Sequence, residues 1–364
     1  MGTEASPASV LLLGTGVVGS ALLAILQGEG APKGIDLVGV ANTRGIAFAG
    51  EGTISHDEAR AVVGRARTDH FVVGDDTLDA LAARTQPVLV DATAADDMED
   101  LYGRALARGI HVVTANKKPL AAPWAKRERL FDTSLRNGNA KLRYEATVGA
   151  GLPVIETLKD LVRTGDRVRR IDCVLSGTLG FLANELHDGT PLSRAVAVAK
   201  DRGFTEPDPR EDLRGADVAR KSVVLAREIG AALELGDVEL EPFVPASVLD
   251  ASSAETIVRD LERLDADVAA KVARNKARGE KLVYLARITV ETEGGKRRVR
   301  ASAGPVAVPL DHPAATLGGS SALVAFTTAR YDRDPLVVRG SGAGGAVTAS
   351  ALLADVLKAT GHAG

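Results

Sequence analysis

The chain is poor in cysteine, in aromatic residues and in unbalanced charge. One cysteine in 364 residues rules out an intrachain disulfide and argues strongly against a cysteine-based metal site. Aromatics make up 3%, too few for the stacking platforms that hold single-stranded nucleic acid. Lysine and arginine number 45 against 48 aspartate and glutamate, a net charge of −3. That balance gives no footprint for a nucleic acid or a membrane surface. The six histidines are scattered without metal-ligand spacing. Long apolar runs are also scarce. The uncharged stretch Val10 to Leu26 is broken by Gly14, Thr15, Gly16, Gly19 and Ser20, and Glu4 rather than a basic residue precedes it. It reads as a soluble strand, turn and helix, not as a membrane span or signal peptide. A cytoplasmic protein is expected.

What is present is ordinary globular material, with 45% apolar and 26% charged residues. The length suggests two domains. Over the first 145 or so residues, strand and helix patterns alternate. Strands are expected at Val10–Leu13, Leu37–Ala41, Val88–Ala92 and His111–Thr114, with helices at Ala21–Gln27, Thr77–Arg84 and Met98–Arg108. Such alternation predicts a parallel sheet with helices on its faces. After Gly149, Gly151 and Pro153 the rhythm changes. Helices are expected at Val154–Thr164, Leu192–Arg202 and Ala216–Ile229, and a strand at Arg169–Leu175. Leu282–Val290 and Arg297–Ala303 read as paired strands around a Gly294-Gly295 turn. The predicted class is therefore α/β, a Rossmann-like doubly wound nucleotide-binding domain plus an α+β substrate and dimerisation domain. The expected division is 1–148 joined by 335–364, against 149–334. About eight N-terminal residues are expected to form a tail.

Gly14-Thr15-Gly16-Val17-Val18-Gly19 fits the G-x-G-x-x-G pattern in the required place, after a strand and opening a helix. Gly14 allows the tight turn, Gly16 lets backbone approach a pyrophosphate, and Gly19 permits close helix–strand packing. The backbone at Val17 and Val18 supplies the N–H groups of the helix end, which attract phosphate. The second strand ends in Ala41-Asn42-Thr43-Arg44, and no carboxylate lies between Asn42 and Gly50. NAD sites usually place a carboxylate there for the ribose hydroxyl, whereas an arginine suits the 2′-phosphate of NADP. NADP is the expected cofactor, with NAD the alternative.

Three further segments reinforce one another: Val113-Thr114-Ala115-Asn116-Lys117-Lys118-Pro119; Glu145 through Pro153; and Gly203-Phe204-Thr205-Glu206-Pro207-Asp208-Pro209-Arg210, continuing through Asp212 to Asp217 and Lys221. Together with the glycine turn they resemble the homoserine dehydrogenase family. The likeness is to short fungal-type members and to the corresponding portion of bifunctional aspartokinase–homoserine dehydrogenases. It runs from the glycine turn to about Pro245, with a further match over Gly340 to Asp355.

The resemblance implies reversible reduction of L-aspartate 4-semialdehyde to L-homoserine in threonine and methionine biosynthesis. It implies Lys221 as acid/base, with Lys117 beside the nicotinamide and substrate. A lysine ammonium can stabilise charge developing on oxygen and can give up a proton. Glu206, Asp217, Asp212 and Thr178 are implied as substrate ligands. Thr93, Lys117, Gly203 and Gly342 would join Gly14, Gly16, Val17, Val18, Gly19, Asn42 and Arg44 at the cofactor. Glu145, Val148, Ala150 and Leu152 resemble the family's sodium site, built on backbone carbonyls. A homodimer is implied, and no threonine-sensing regulatory domain is expected after the return helix.

The chain departs from the family's usual residues at Gly180-Phe181 and at Phe204, where tyrosine is common, and at Ala94 and Ala95, where serines are frequent. Each change removes a side-chain hydrogen-bonding group. Two rival readings remain. An aspartate-semialdehyde dehydrogenase would need a nucleophilic cysteine, and Cys173 lies in mid-strand, where a buried, inert thiol is expected. A non-catalytic NADP-binding sensor would not need both lysines and both substrate carboxylates.

Overall fold

The computed structural model describes residues 6–28, 31–64, 73–138, 140–294, 296–319 and 321–362. Residues 1–5 of the expected tail and Gly295 of the expected turn lie outside them. Ala8, the last residue assigned to that tail, already belongs to the first strand. The chain divides into two compact units, 1–151 with 344–364, and 152–343.

The first unit begins with β1 (Ala8–Leu13), buried at every position. It lies between parallel neighbours on both sides, which is why Val10–Leu13 reads as an unbroken apolar run. The chain continues through α1 (Val17–Gln27), β2 (Ile35–Asn42), β3 (Gly45–Phe48), α2 (His56–Gly64), α3 (Asp75–Ala82), β4 (Pro87–Asp91), α4 (Glu99–Ala107), β5 (His111–Thr114), α5 (Lys118–Ala121), α6 (Trp124–Arg136) and β6 (Leu142–Arg143). The sheet order is β3-β2-β1-β4-β5-β6. Five strands are parallel, as the alternation predicts, but β3 runs antiparallel to β2. Only Thr43 and Arg44 join them, and so short a link can form a hairpin but not a crossover. Val10, Leu12, Val40, Val88, Val90 and Val113 form the core of this unit with Leu22 of α1.

The second unit contains α7 (Ile155–Arg163), β7 (Val168–Val174), α8 (Gly177–Asp188), α9 (Leu192–Asp201), α10 (Pro209–Arg214), α11 (Ala216–Glu228), β8 (Glu239–Leu240), α12 (Ala246–Ala251), α13 (Ile257–Leu261), α14 (Asp265–Ala277), β9 (Glu280–Glu293), β10 (Lys296–Pro309), β11 (Ser321–Thr328) and β12 (Leu336–Ser341). The strands form one mixed sheet in the order β12-β11-β7-β9-β10-β8. The β9–β10 hairpin pairs in register from Glu280↔Pro309 to Glu293↔Lys296, well beyond the expected strands. At the turn end the ladder continues past Val290 through charged, exposed positions because its backbone pairing does not require burial, and at the other end β10 runs on past Gly304 and Pro305 to Pro309, where those residues would read as a strand end.

The chain returns to the first unit as α15 (Gly345–Thr360), where Ala349, Leu352 and Val356 join the core. A Cβ at Gly345 would stand 2.8 Å from Val17 Cγ1, so the start of α15 is packed on the start of α1. The return falls at residue 344 rather than 335, because β12 is hydrogen-bonded to β11 and stays with the second sheet. Among the described residues, no helix is long and apolar enough to cross a membrane.

Candidate active site

In the first unit, Gly14 adopts φ +91°, the left-handed region that glycine enters without strain. A Cβ at Gly19 would lie 1.9 Å from the Gly14 carbonyl oxygen, so α1 touches the turn at this point. Gly16 differs, since a Cβ there would meet nothing within 4 Å. That open backbone precedes an α1 N-terminus without a side-chain cap. Such an end presents N–H donors and a positive dipole to an anion. The residues therefore fit a dinucleotide pyrophosphate.

Asn42 ties this turn to the end of β2. Its amide donates to Thr15 Oγ1 at 2.8 Å, while its Oδ1 accepts the Arg44 backbone N–H at 2.7 Å. Arg44 is thus anchored through its backbone beside the glycine turn, and its residue surface is exposed. Thr93 N–H donates to Asp91 Oδ1 at 2.7 Å, and Thr93 Oγ1 accepts from Ala95 N–H at 3.2 Å. Lys117 caps α5 immediately after buried Asn116, which donates to the Ala95 carbonyl at 2.8 Å. Thr93 and Lys117, both expected at the cofactor, therefore sit on two loops joined by Asn116. The sequence reading missed Asp91, Tyr102 and Asn116 as connected groups.

Glu145, Val148 and Ala150 lie on a buried segment of the same unit. Gly149 and Ala150 take φ +84° and +57°, which turns successive carbonyls. Among the described residues, neither the Val148 nor the Ala150 carbonyl accepts a hydrogen bond. Buried carbonyls lacking donors are suitable ligands for a hard cation. Leu152 falls in the second unit, and its carbonyl accepts the Val154 N–H at 2.8 Å. No group of three or more histidine, cysteine, aspartate or glutamate side chains among the described residues could hold a metal.

In the second unit, α11 buries Val218, Ala219, Ser222 and Val223 and carries Asp217 and Lys221 one turn apart. Lys221 Nζ lies 2.7 Å from Asp217 Oδ2 and donates to the Leu175 carbonyl at 2.8 Å. The Leu175 carbonyl follows β7, so sheet and helix jointly place the ammonium. Gly215 starts α11 at φ +72°, and the Tyr284 hydroxyl occupies the space 1.9 Å from where a Cβ would be.

Asp212 organises the preceding loop. Its Oδ2 accepts the Glu206 backbone N–H at 2.8 Å, and its Oδ1 lies 2.9 Å from Thr178 Oγ1. Thr178 Oγ1 also donates to the Phe204 carbonyl at 2.5 Å. One hydroxyl proton cannot serve both oxygens fully. Burial, with a smaller push from the Asp217 carboxylate, raises the Asp212 pKa, so acidification gives this carboxyl a proton to donate to Oγ1. Glu206 itself is exposed.

The remainder of the distinctive run is scaffold. Asp208 caps α10 by accepting Arg210 N–H at 3.0 Å, with Pro209 at the first helical position. The Arg210 guanidinium grips the Asp208 carboxylate and reaches the Ser252 carbonyl. Two departures from the family's usual residues prove to be neighbours: the Phe181 and Phe204 rings meet edge to face, with centroids 5.2 Å apart. Gly203 is exposed at φ +68°. Gly342 packs within its own unit, where a Cβ would lie 2.1 Å from Ala322 Cβ. Cys173 is fully buried in β7, and burial pushes its thiol pKa up, as an inert thiol requires.

The wound sheet and its open glycine turn place the chain among dinucleotide-binding proteins of Rossmann type. Its family is more specific. The family model for homoserine dehydrogenase matches residues 153–357, and that for the homoserine dehydrogenase NAD binding domain matches 14–145. The chain belongs to the homoserine dehydrogenase family. It is 38% identical over 98% of its length to a chloroplastic bifunctional aspartokinase/homoserine dehydrogenase from Zea mays, of which it spans 39%. It is 40% identical over 74% of its length to a homoserine dehydrogenase from Paracoccidioides brasiliensis, covering 73% of that protein. A crystal structure of a Candida auris protein of unknown function has a TM-score of 0.86 and 31% identity, with 98% of each chain covered.

Proposed function

We propose that the chain catalyses the reversible, NADP-dependent oxidation of L-homoserine to L-aspartate 4-semialdehyde. The observation that carries this reading is the Lys221 ammonium, held at 2.7 Å by Asp217 and at 2.8 Å by the Leu175 carbonyl within a family-matched unit. Gly14, Gly16, the Val17 and Val18 backbone, Gly19, Asn42, Arg44, Thr93 and Lys117 hold the dinucleotide, with Gly203 and Gly342 assigned to it by resemblance. The bound nicotinamide supplies a hydride acceptor or donor.

During reduction the Lys221 ammonium gives a proton to the nascent alkoxide and is left as the amine; oxidation is the reverse, with the neutral amine taking the hydroxyl proton and becoming the ammonium. Lys117 provides positive charge near oxygen as its charge develops. The Glu206 carboxylate and Asp217 attract the substrate ammonium. Asp212 and Thr178 fix the loop that presents Glu206, through the backbone N–H bond at 2.8 Å. A preference for NADP over NAD is supported by Arg44, exposed on the turn that Asn42 ties to Thr15.

Sodium belongs to the same reading in a structural role. Its support is the pair of buried Val148 and Ala150 carbonyls without hydrogen-bond donors among the described residues, beside Glu145. The Leu152 contribution, the homodimer and the place in threonine and methionine biosynthesis rest on family resemblance, and the cytoplasmic location on the absence of a basic n-region before the glycine-broken apolar stretch.

The test is absorbance of the reduced nicotinamide during L-homoserine oxidation, with NADP compared against NAD. Homoserine-dependent reduction is expected, with a higher kcat/KM for NADP that Arg44→Ala lowers selectively. A folded protein that binds NADPH but turns over neither homoserine nor aspartate semialdehyde sinks the assignment and leaves the sensor reading.

A further inference from the structure

Asp91 ends β4 with no exposed surface. Among the described residues it has no lysine or arginine partner within ion-pair distance. It is surrounded by donors instead. Thr93 N–H donates to Oδ1 at 2.7 Å, the Tyr102 hydroxyl to Oδ2 at 2.5 Å, and the Asn116 amide to Oδ2 at 3.3 Å. Tyr102, itself wholly buried, also meets Thr114 Oγ1 at 2.8 Å. Thr114 Oγ1 in turn accepts the Asn116 backbone N–H at 2.8 Å. Asn116 closes the circuit by donating to the Ala95 carbonyl at 2.8 Å and accepting the Lys118 N–H at 3.1 Å.

A buried carboxyl without a cation is costly, and a core aspartate would not persist for packing alone. This one sits where β4 and β5 end, the edge at which wound sheets bind their ligands. Each of its three donors leads to a loop or strand end at that edge. Thr93 begins the loop containing Ala94 and Ala95; Asn116 immediately precedes Lys117. The usual serines of that first loop are alanines here, so its side chains at 94 and 95 offer no hydrogen bonds of their own. Its position depends on backbone bonds, and those lead back to Asp91 directly or through Asn116.

We propose that Asp91 is a positioning residue, joined by Tyr102, Thr114 and Asn116 into a buried circuit that fixes the Thr93–Ala95 loop and Lys117 for hydride transfer. The inference rests on the functional reading above and deepens it. Burial raises the Asp91 pKa while its donors oppose the rise, so the circuit's cohesion depends on those bonds remaining intact.

The experiment compares Asp91→Ala, Asp91→Asn and Tyr102→Phe with wild type. It reads kcat, KM for homoserine, NADPH affinity by fluorescence titration, and folding by circular dichroism. Because misplacement remote from the chemistry can cost about a hundredfold in rate, Asp91→Ala should lower kcat about ten- to hundredfold while KM for homoserine moves less than about twofold. NADPH affinity should fall severalfold. Asp91→Asn keeps an acceptor for Thr93 N–H and should recover part of both losses. Tyr102→Phe removes only one donor and decides the matter if the Asp91 variants do not fold. Folded variants with wild-type kcat and NADPH affinity would overturn the proposal. If wild type turns over no homoserine, the functional reading fails; unchanged NADPH affinity in Tyr102→Phe would then overturn the positioning role, and weakened affinity would uphold it.

Discussion

The Lys221 ammonium and the Asp217 carboxylate are 2.7 Å apart on one face of α11. Lys221 is mostly covered, with 13% of its side chain exposed, whereas Asp217 is 46% exposed. The pair is half-buried, with its carboxylate toward solvent, so its contribution to stability is modest, about 1 kcal/mol. Its value is expected in chemistry. Lys221→Ala should lower the melting temperature by a few degrees, because the Leu175 carbonyl loses its donor, and lower kcat by about 10² to 10⁴, the usual range for loss of an acid/base group. Asp217→Asn should weaken kcat/KM less severely. Steady-state kinetics with thermal melts check both. Normal turnover in Lys221→Ala would remove this lysine from the mechanism.

The glycine turn separates binding from folding. Gly16→Ala places its methyl in open space, so stability should stay within about 0.5 kcal/mol of wild type. NADPH affinity should nevertheless fall at least about tenfold, because the methyl occupies the backbone surface that the pyrophosphate approaches. Gly19→Ala drives its methyl into the Gly14 carbonyl and should lower both stability and affinity. Calorimetry with fluorescence titration distinguishes them. Equal affinity for wild type and Gly16→Ala would place the phosphates elsewhere.

Gly215→Ala should cost about 2 to 4 kcal/mol, combining the left-handed φ with collision against the Tyr284 hydroxyl. Denaturant unfolding measures it. Tyr284→Phe removes the nearest atom, so the same substitution in that background should cost less. An identical cost in both would show that the tyrosine does not exclude the methyl.

His111 gives the fold an acid limit. Its ring Nδ1 accepts the Lys141 backbone N–H at 3.0 Å, and burial, aided by Lys141 and Arg143, lowers its pKa from 6.5 to about 4. The unfolded chain therefore takes up this proton first as pH falls. Stability is fully present above about pH 6.5 and declines toward pH 4, with a loss on the order of 3 kcal/mol from this residue. Urea unfolding at several pH values should show a shallower decline for His111→Asn. Parallel profiles would assign the acid sensitivity to other groups.

Much of this protein was legible in one dimension because the signals are local. The apolar run of β1, the glycine spacing at Gly14, Gly16 and Gly19, and the α11 periodicity that buries Val218 and Val223 each depend on neighbours in the chain. The conspicuous Glu206 to Arg210 run was also visible, but its division of labour was not. Asp208 and Arg210 hold a helix end, and that emerges only when the guanidinium reaches Ser252 across the fold.

Tertiary structure decided what distant segments do to one another. It set β3 antiparallel and kept β12 with the second sheet, because hydrogen-bonded partners, not propensity, fix a strand's direction and membership. It brought Phe181 beside Phe204 and bound Asp212 to Thr178. It also closed Asp91, Tyr102, Thr114 and Asn116 into one circuit, which no spacing announces. The sequence alone determined which chemistry the chain could carry, since side-chain type and local backbone freedom are written there. The fold determined which of those groups meet, since burial and hydrogen bonding depend on three-dimensional neighbours.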